Sequence, residues 1–337
     1  MPQERPTVVV LGAGSWGTTI SHTLAAGADV VLWARDPLLV EELCDQRTNS
    51  RHLPGAVLDR RVQVVGDLAV AVAGADVVLV AVPTFGLRAV VAGAAPHLPM
   101  RVPVVSLAKG FEPSTGRRMT EVIAEEAVGH PCGALTGPNL AREIFDGHAA
   151  ASVLAMADDD IAARLQDVLS TGNLRVYRNP DVVGCELAGA LKNVVAIAAG
   201  MAQGLGAGDN TRAAVITRGL AELSRLGAAM GGNPLTFSGL AGLGDLVATC
   251  SSPLSRNRHV GEQLGRGRSL DTVMAELRSV AEGVPAAPVT VALAAEHGVE
   301  VPIAVQVADV LAGRTTAAEA YRDLMGRRRR EELYGLG

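Results

Sequence analysis

Short β-branched runs alternate with helix-spaced stretches through the first half of the chain. The runs at 7–11, 29–33, 61–65, 76–82, 103–107, 133–136 and 149–155 predict strands of βαβ units, hence a mainly parallel sheet covered by helices on both faces. From about residue 180 the pattern changes to long Ala, Leu and Gly-rich stretches whose apolar positions recur at helical spacing. Those at 187–204, 212–230, 269–279 and 289–297 predict an all-helical second part. The boundary falls at Arg178-Asn179-Pro180-Asp181, because the residue before a proline is pushed out of helix and Asn and Asp favour turns. The expected architecture is therefore α/β: an N-terminal doubly wound sheet over 1–180 and a helical domain over 181–337.

Composition narrows what such a molecule can do. With 337 residues, 48% of them apolar, two domains with substantial cores are affordable. A net charge of −5 argues against a surface that attracts nucleic acid or anionic membrane, leaving small-molecule chemistry. No run exceeds the roughly 18 to 20 apolar residues that span a bilayer, so no membrane insertion is expected and the cytoplasm is the expected compartment. Cys44, Cys132, Cys185 and Cys250 form no C-x-x-C pair, and reduced, buried thiols are expected rather than a zinc site or disulfide framework. None of the seven histidines shows metal-ligand spacing, so no metal is expected. The run Arg327-Arg328-Arg329-Arg330 is followed by Glu331-Glu332 and reads as a solvated helix end.

One feature is sharper. Of thirty basic residues only Lys109 and Lys192 are lysines; arginine carries the ordinary surface charge. An ammonium is more compact than a guanidinium, and it can lose its proton near neutral pH when desolvated. Chance retention is the plain alternative, and the surroundings of each lysine weigh against it.

The first strand runs directly into Gly12-Ala13-Gly14-Ser15-Trp16-Gly17 and a helical stretch. In that context G-x-G-x-x-G is a dinucleotide-binding turn. Gly12 permits the bend, Gly14 lets a pyrophosphate approach the backbone, and Gly17 lets helix and strand pack closely. A plain glycine turn is the competing reading. The second strand ends at Trp33-Ala34-Arg35-Asp36, where Arg35 can stack on adenine or pair with a 2′-phosphate, leaving NAD or NADP open; Asp36 before Pro37 is equally a helix N-cap. Lys109 follows the fifth strand, at the carboxyl end where ligands bind in open parallel sheets.

In the second half, Lys192 and Asn193 interrupt the almost wholly apolar stretch 187–197. A charge buried there must be paired, reach solvent, or be neutralised by a lowered pKa. A ketone reductase needs such a proton donor; a lysine at the end of a helical face is the bland alternative. In Ser238-Gly239-Leu240-Ala241-Gly242-Leu243-Gly244-Asp245, glycines crowd before one acid, as where a backbone bends to aim a side chain. Ser255, Arg256 and Asn257 then offer a hydroxyl, a guanidinium and an amide at a helix start, a combination suited to phosphate or carboxylate. An N-cap and a surface charge are the plain readings of Asp245 and Arg256.

Together these segments resemble the bacterial-type NAD(P)-dependent sn-glycerol-3-phosphate dehydrogenases. The resemblance runs from 12–18 through Ser106-Leu107-Ala108-Lys109-Gly110, Thr136-Gly137-Pro138-Asn139-Leu140-Ala141, Glu186 to Asn193, Gly242 to Asn257 and Val280-Ala281-Glu282-Gly283, nearly the whole chain. It implies a Rossmann-type domain and reversible reduction of dihydroxyacetone phosphate to sn-glycerol 3-phosphate with NAD or NADP. Lys192 matches the proton donor and acceptor. Lys109, Gly137, Asn139, Lys192, Asp245, Ser255, Arg256 and Asn257 match substrate contacts. Gly12, Gly14, Ser15, Trp16, Gly17, Arg35, Lys109, Ala141, Arg256, Val280 and Glu282 match the cofactor side. Asn139 stands where the family often has a small hydroxyl residue, and His52 where it has an aromatic before Leu-Pro-Gly. A β-hydroxy acid dehydrogenase, which prefers a carboxylate, and a dinucleotide-sensing module without turnover are the alternatives. A homodimer is expected, because helical second domains often bury apolar faces across a two-fold axis.

Overall fold

The computed structural model describes residues 5–277, 280–327 and 331. The first four residues, the end of the helix expected at 269–279, and the tail at 328–330 and 332 lie outside the described residues. Contacts divide the chain into two compact units, Met1–Ala108 with Arg117–Val182, and Lys109–Gly116 with Val183–Gly337. Lys109 thus groups with the second unit, although it precedes the expected boundary by some seventy positions.

The first unit is built on β1 (Thr7–Leu11), β2 (Asp29–Trp33), β3 (Gln63–Val65), β4 (Val77–Val80), β5 (Val104–Ser106), β6 (Cys132–Thr136), β7 (Ala150–Met156) and β8 (Leu174–Asn179). They form one sheet in the order β3-β2-β1-β4-β5-β6-β7-β8, parallel throughout except for the antiparallel β6–β7 pair. Successive side chains on a strand face opposite sides, and the cores follow that rule. Val8, Val10, Val77 and Leu79 belong to one layer, Val9, Leu11, Val78 and Val80 to the other. Helices therefore cover both faces, and β4 is apolar at every position and β1 at every position after Thr7. The chain moves from β1 outward to β2 and β3, then returns to β4 on β1's other side. Ligands bind at this reversal, outside the carboxyl ends of the strands.

One strand escaped the sequence pattern. In β8, Leu174 and Val176 are buried while Arg175 and Tyr177 are not, an edge strand with only two inward apolar positions. Arg175 covers its own outward Tyr177, 5.1 Å from the ring centre.

The second unit is helical among its described residues and centres on the helix Val182–Gly204, buried continuously from 187 to 202. A helix that is apolar all round belongs in the middle of a core. Leu223, Leu226, Val260, Leu264, Ala287 and Val307, from four other helices, pack in the same cluster. This helix corrects the expectation that no segment is long and apolar enough to cross a membrane. Its length and mean hydropathy suffice, but 83% of its most apolar window is buried within the protein. The cysteine expectation also needs correcting. All four thiols are free, yet only Cys185 and Cys250 are buried. Cys44 is exposed in the last turn of the Pro37–Asp45 helix, and Cys132 is half-buried at the first position of β6.

Candidate active site

In the first unit the glycine turn follows β1, beside the end of β4. Gly12 has φ +115°, and a Cβ there would stand 2.8 Å from the Ala81 carbonyl oxygen. A Cβ on Gly17 would stand 1.8 Å from the Gly12 oxygen, whereas one on Gly14 would meet nothing within 4 Å. The three glycines therefore differ in kind: a left-handed bend, a contact with no room for a methyl, and an open approach. Gly14 also begins the Ser15–Leu24 helix, whose free N–H groups and positive dipole end suit an anion. The Ser15 hydroxyl donates to the His52 carbonyl at 2.5 Å, which leaves Ser15 its backbone for any ligand.

The open Gly14 backbone, the helix start and the unpartnered Trp16 Nε1 fit a dinucleotide. Trp16 Nε1, Thr136 Oγ1 and Asn139 Nδ2 are buried without a hydrogen-bond partner among the described residues, and buried polar groups ordinarily have one. Gly137, just past β6, has φ +112°. Asn139 Oδ1 accepts from Ser152 Oγ at 2.7 Å, and the Ala141 carbonyl accepts from Thr19 Oγ1 at 3.2 Å, tying the 137–141 segment to the helix behind the turn. Arg35 is exposed just beyond β2. Asp36 accepts from the Leu38 N–H at 3.0 Å as N-cap of the Pro37–Asp45 helix, so its carboxylate serves the helix.

In the second unit one carboxylate gathers both lysines. Asp245 Oδ1 accepts from Lys192 Nζ at 2.6 Å and Oδ2 from Lys109 Nζ at 2.7 Å. Asp245 itself is 2% exposed and Lys192 is 4% exposed, so neither charge has water to fall back on. A wide turn of π-helix, Leu240–Gly244, aims the acid; a Cβ on Gly242 would lie 2.1 Å from the Phe237 carbonyl oxygen, so only glycine allows it. Such turns recur at functional sites. One helical turn beyond Asp245, Thr249 Oγ1 accepts from Lys192 Nζ at 2.5 Å and donates to Asp245 Oδ1 at 3.2 Å.

Burial pulls the Lys192 pKa down to about 8; the Asp245 carboxylate opposes the fall and the Lys109 ammonium adds to it. An amine so placed can give a proton near neutral pH and take one back. Burial pushes the neighbouring Cys250 thiol up to about 12, so it stays protonated and takes no part as a nucleophile.

A chain of amides frames the amine. Asn193 Nδ2 donates to the Lys109 carbonyl at 2.9 Å, Asn257 Nδ2 donates to Asn193 Oδ1 at 2.8 Å, and Gly283 N–H donates to Asn257 Oδ1 at 3.0 Å. The residue following the lysine on the long helix thereby locks three separate segments together. Ser255 caps the Arg256–Gly265 helix by accepting from Arg258 N–H, while Arg256 projects exposed from its first position within electrostatic reach of Glu282. Val280 and Glu282 are half-buried just before Gly283. The sequence reading missed Thr249, although its spacing of four from Asp245 on one helix is a visible signal, and it noted Asn193 without a role.

A doubly wound sheet with a dinucleotide turn, joined in one chain to a helical unit with a buried, acid-paired amine, defines a nicotinamide-dependent dehydrogenase acting on a carbonyl or alcohol. Residues 7–162 match the family model for the NAD-dependent glycerol-3-phosphate dehydrogenase N-terminus, and residues 181–322 match that for its C-terminus. A glycerol-3-phosphate dehydrogenase [NAD(P)+] of Sphingopyxis alaskensis is 53% identical over 95% of this chain and 96% of its own. One of Mycobacterium avium is 48% identical over 99% and 98%. The crystal structure of glycerol-3-phosphate dehydrogenase from Coxiella burnetii superposes with a TM-score of 0.92 at 35% identity, covering 97% of this chain and all of that one. The chain belongs to the NAD-dependent glycerol-3-phosphate dehydrogenase family.

Proposed function

We propose that this protein reduces dihydroxyacetone phosphate to sn-glycerol 3-phosphate reversibly, with NADH or NADPH, and so supplies the backbone of glycerophospholipids. The observation that carries the mechanism is the Lys192 amine, buried in an apolar helix and held by Asp245 and Thr249. When bound, the reduced nicotinamide supplies the hydride. Negative charge then gathers on the substrate carbonyl oxygen, and Lys192 Nζ, with two of its three hydrogens directed at Asp245 and Thr249, has the third to give. Asp245 keeps the amine oriented and offsets its charge, and Lys109, on the same carboxylate, adds positive potential at the developing oxyanion. In the reverse direction the neutral amine accepts the hydroxyl proton, which arginine, always protonated, cannot do.

Phosphate recognition is assigned to Arg256 with Ser255 and Asn257. An exposed guanidinium on the capped start of a helix binds a dianion through charge, fork geometry and the helix dipole. In this reading Asn257 holds the framework by bridging Asn193 and Gly283, and its contribution to phosphate is through the turn it stiffens. The dinucleotide side rests on Gly12, Gly14, Ser15, Trp16, Gly17 and Arg35. The assignments of Gly137 and Asn139 to substrate, and of Lys109, Ala141, Arg256, Val280 and Glu282 to cofactor, follow from the sequence resemblance. The same reading makes the enzyme a cytoplasmic homodimer, checked by light scattering on the purified protein.

Absorbance at 340 nm, with dihydroxyacetone phosphate and NADH or NADPH in parallel, tests the function. Fast oxidation with that ketone, and none with hydroxypyruvate or tartronate semialdehyde, is the expected result. Turnover of a control alone overturns the substrate, and silence throughout overturns the dehydrogenase reading.

A further inference from the structure

The dinucleotide turn is held from behind by a residue that touches none of the motif's glycines. Asn49 is 1% exposed, and its side-chain amide is fully engaged. Nδ2 donates to the Ala13 carbonyl at 2.9 Å and to Thr18 Oγ1 at 2.8 Å, and Oδ1 accepts from the His52 N–H at 3.0 Å. The His52 carbonyl in turn takes the Ser15 hydroxyl, so the 49–52 segment grips the turn at Ala13, Ser15 and Thr18. The segment is itself braced. Thr48 pairs with Val57 as an isolated bridge, and the Leu58 N–H donates to the Arg47 carbonyl at 2.7 Å.

The consequence follows from peptide geometry. The Ala13 carbonyl and the Gly14 N–H belong to one planar trans peptide and point in opposite directions. An amide donor fixing that carbonyl on the buried side turns the Gly14 N–H to the other side, and Gly14 is the one glycine of the three with open space around it. A backbone N–H held in place before the anion arrives binds it without the cost of ordering a flexible loop.

We infer that Asn49 is a positioning residue for the dinucleotide, fixing the Ala13–Gly14 peptide so that the Gly14 N–H faces the pyrophosphate. The inference rests on the dinucleotide reading of the turn, and the experiment keeps the two apart. Asn49→Ser is neutral but its hydroxyl stops one bond short of Ala13. Asn49→Asp has the shape of the original side chain, still accepts from the His52 N–H, can accept from the Thr18 hydroxyl to which Asn49 donates, and lacks the donor to Ala13. A loss common to both isolates the donor from cavity and charge effects. Dissociation constants for NADH and NADPH, read from nicotinamide fluorescence, are expected to rise about tenfold or more in both variants. KM for the dinucleotide should rise in step, with KM for the ketone phosphate and kcat at saturation within about twofold of the parent, a split that a general loss of stability does not produce. Should the serine variant fail to fold, Asn49→Ala, neutral and without the donor, takes its place beside the aspartate variant. Parent protein that binds neither reduced dinucleotide overturns the dinucleotide reading itself and this inference with it. Parent protein that binds, beside folded variants that bind within twofold of it, overturns the inference alone.

Discussion

The dinucleotide turn occupies six consecutive residues, 12–17, and presents backbone; the amine centre presents side chains brought in from far apart. Lys109 and Asp245 are 136 positions apart, and Lys192 and Asp245 are 53 apart. The turn depends on what is missing, since its glycines leave room for a bend, a helix contact and a ligand. The amine centre depends on what is paired, because the Lys192 ammonium and the Asp245 carboxylate, both out of water, are tolerable only together, and half-buried Lys109 joins them on the same carboxylate. Damage should therefore differ in kind. At the turn it should be steric and appear in binding, whereas at the amine it should be electrostatic and appear in turnover and its pH dependence.

The largest effect is expected at the amine. Lys192→Met should lower kcat for ketone reduction by about a hundredfold to ten-thousandfold, the usual range for a lost general acid, while the dissociation constant for NADH stays within about twofold. Lys192→Arg, which keeps the charge but cannot surrender the proton, should fall nearly as far in alcohol oxidation. Steady-state rates in both directions check this, and a lysine variant that keeps its turnover but loses NADH would break the contrast.

A smaller and different loss is expected from Gly17→Ala. The added methyl must displace the Gly12 carbonyl, and overpacking of this sort costs about 1–3 kcal/mol in stability. Thermal melting should show that loss, and fluorescence titration should show weakened NADH binding, with KM for the ketone phosphate nearly unchanged.

The finest test is a titration. Lys192 is protonated below about 8, so the rate of ketone reduction should fall as pH rises through about 8, and alcohol oxidation should rise through the same range. Asp245 raises that pKa by its charge, so Asp245→Asn should move both limbs to lower pH. A pH profile in which the limb stays in place would separate the amine from the acid that holds it.

Much of this was legible in the sequence, for reasons that can be read residue by residue. The apolar runs of β1 and β4 announce a sheet buried on both faces, and the glycine motif is legible because its residues are consecutive. Asp36 caps a helix, as its place before Pro37 suggests; that Ser255 does so too is a finding of the structure. Lys192 stood out because a charge inside an apolar helix must be compensated. Its compensator was less visible: Asp245 was singled out for its glycines, with nothing to say that it would hold both lysines. β8 was missed because an edge strand with two inward apolar residues carries little pattern, and Thr249 because a hydroxyl on a helix has many ordinary uses.

The sequence alone determined the order of the first seven strands, the two-part architecture, the turn and the presence of an unusual lysine, since each depends on interactions within a few residues or on periodicity along one element. The tertiary structure decided which charges meet. Only folding places Lys109 and Lys192 on the two oxygens of one carboxylate, seats Asn49 behind Ala13, and removes water from around Lys192. Proton affinity depends on distance and solvation, and neither is written along the chain.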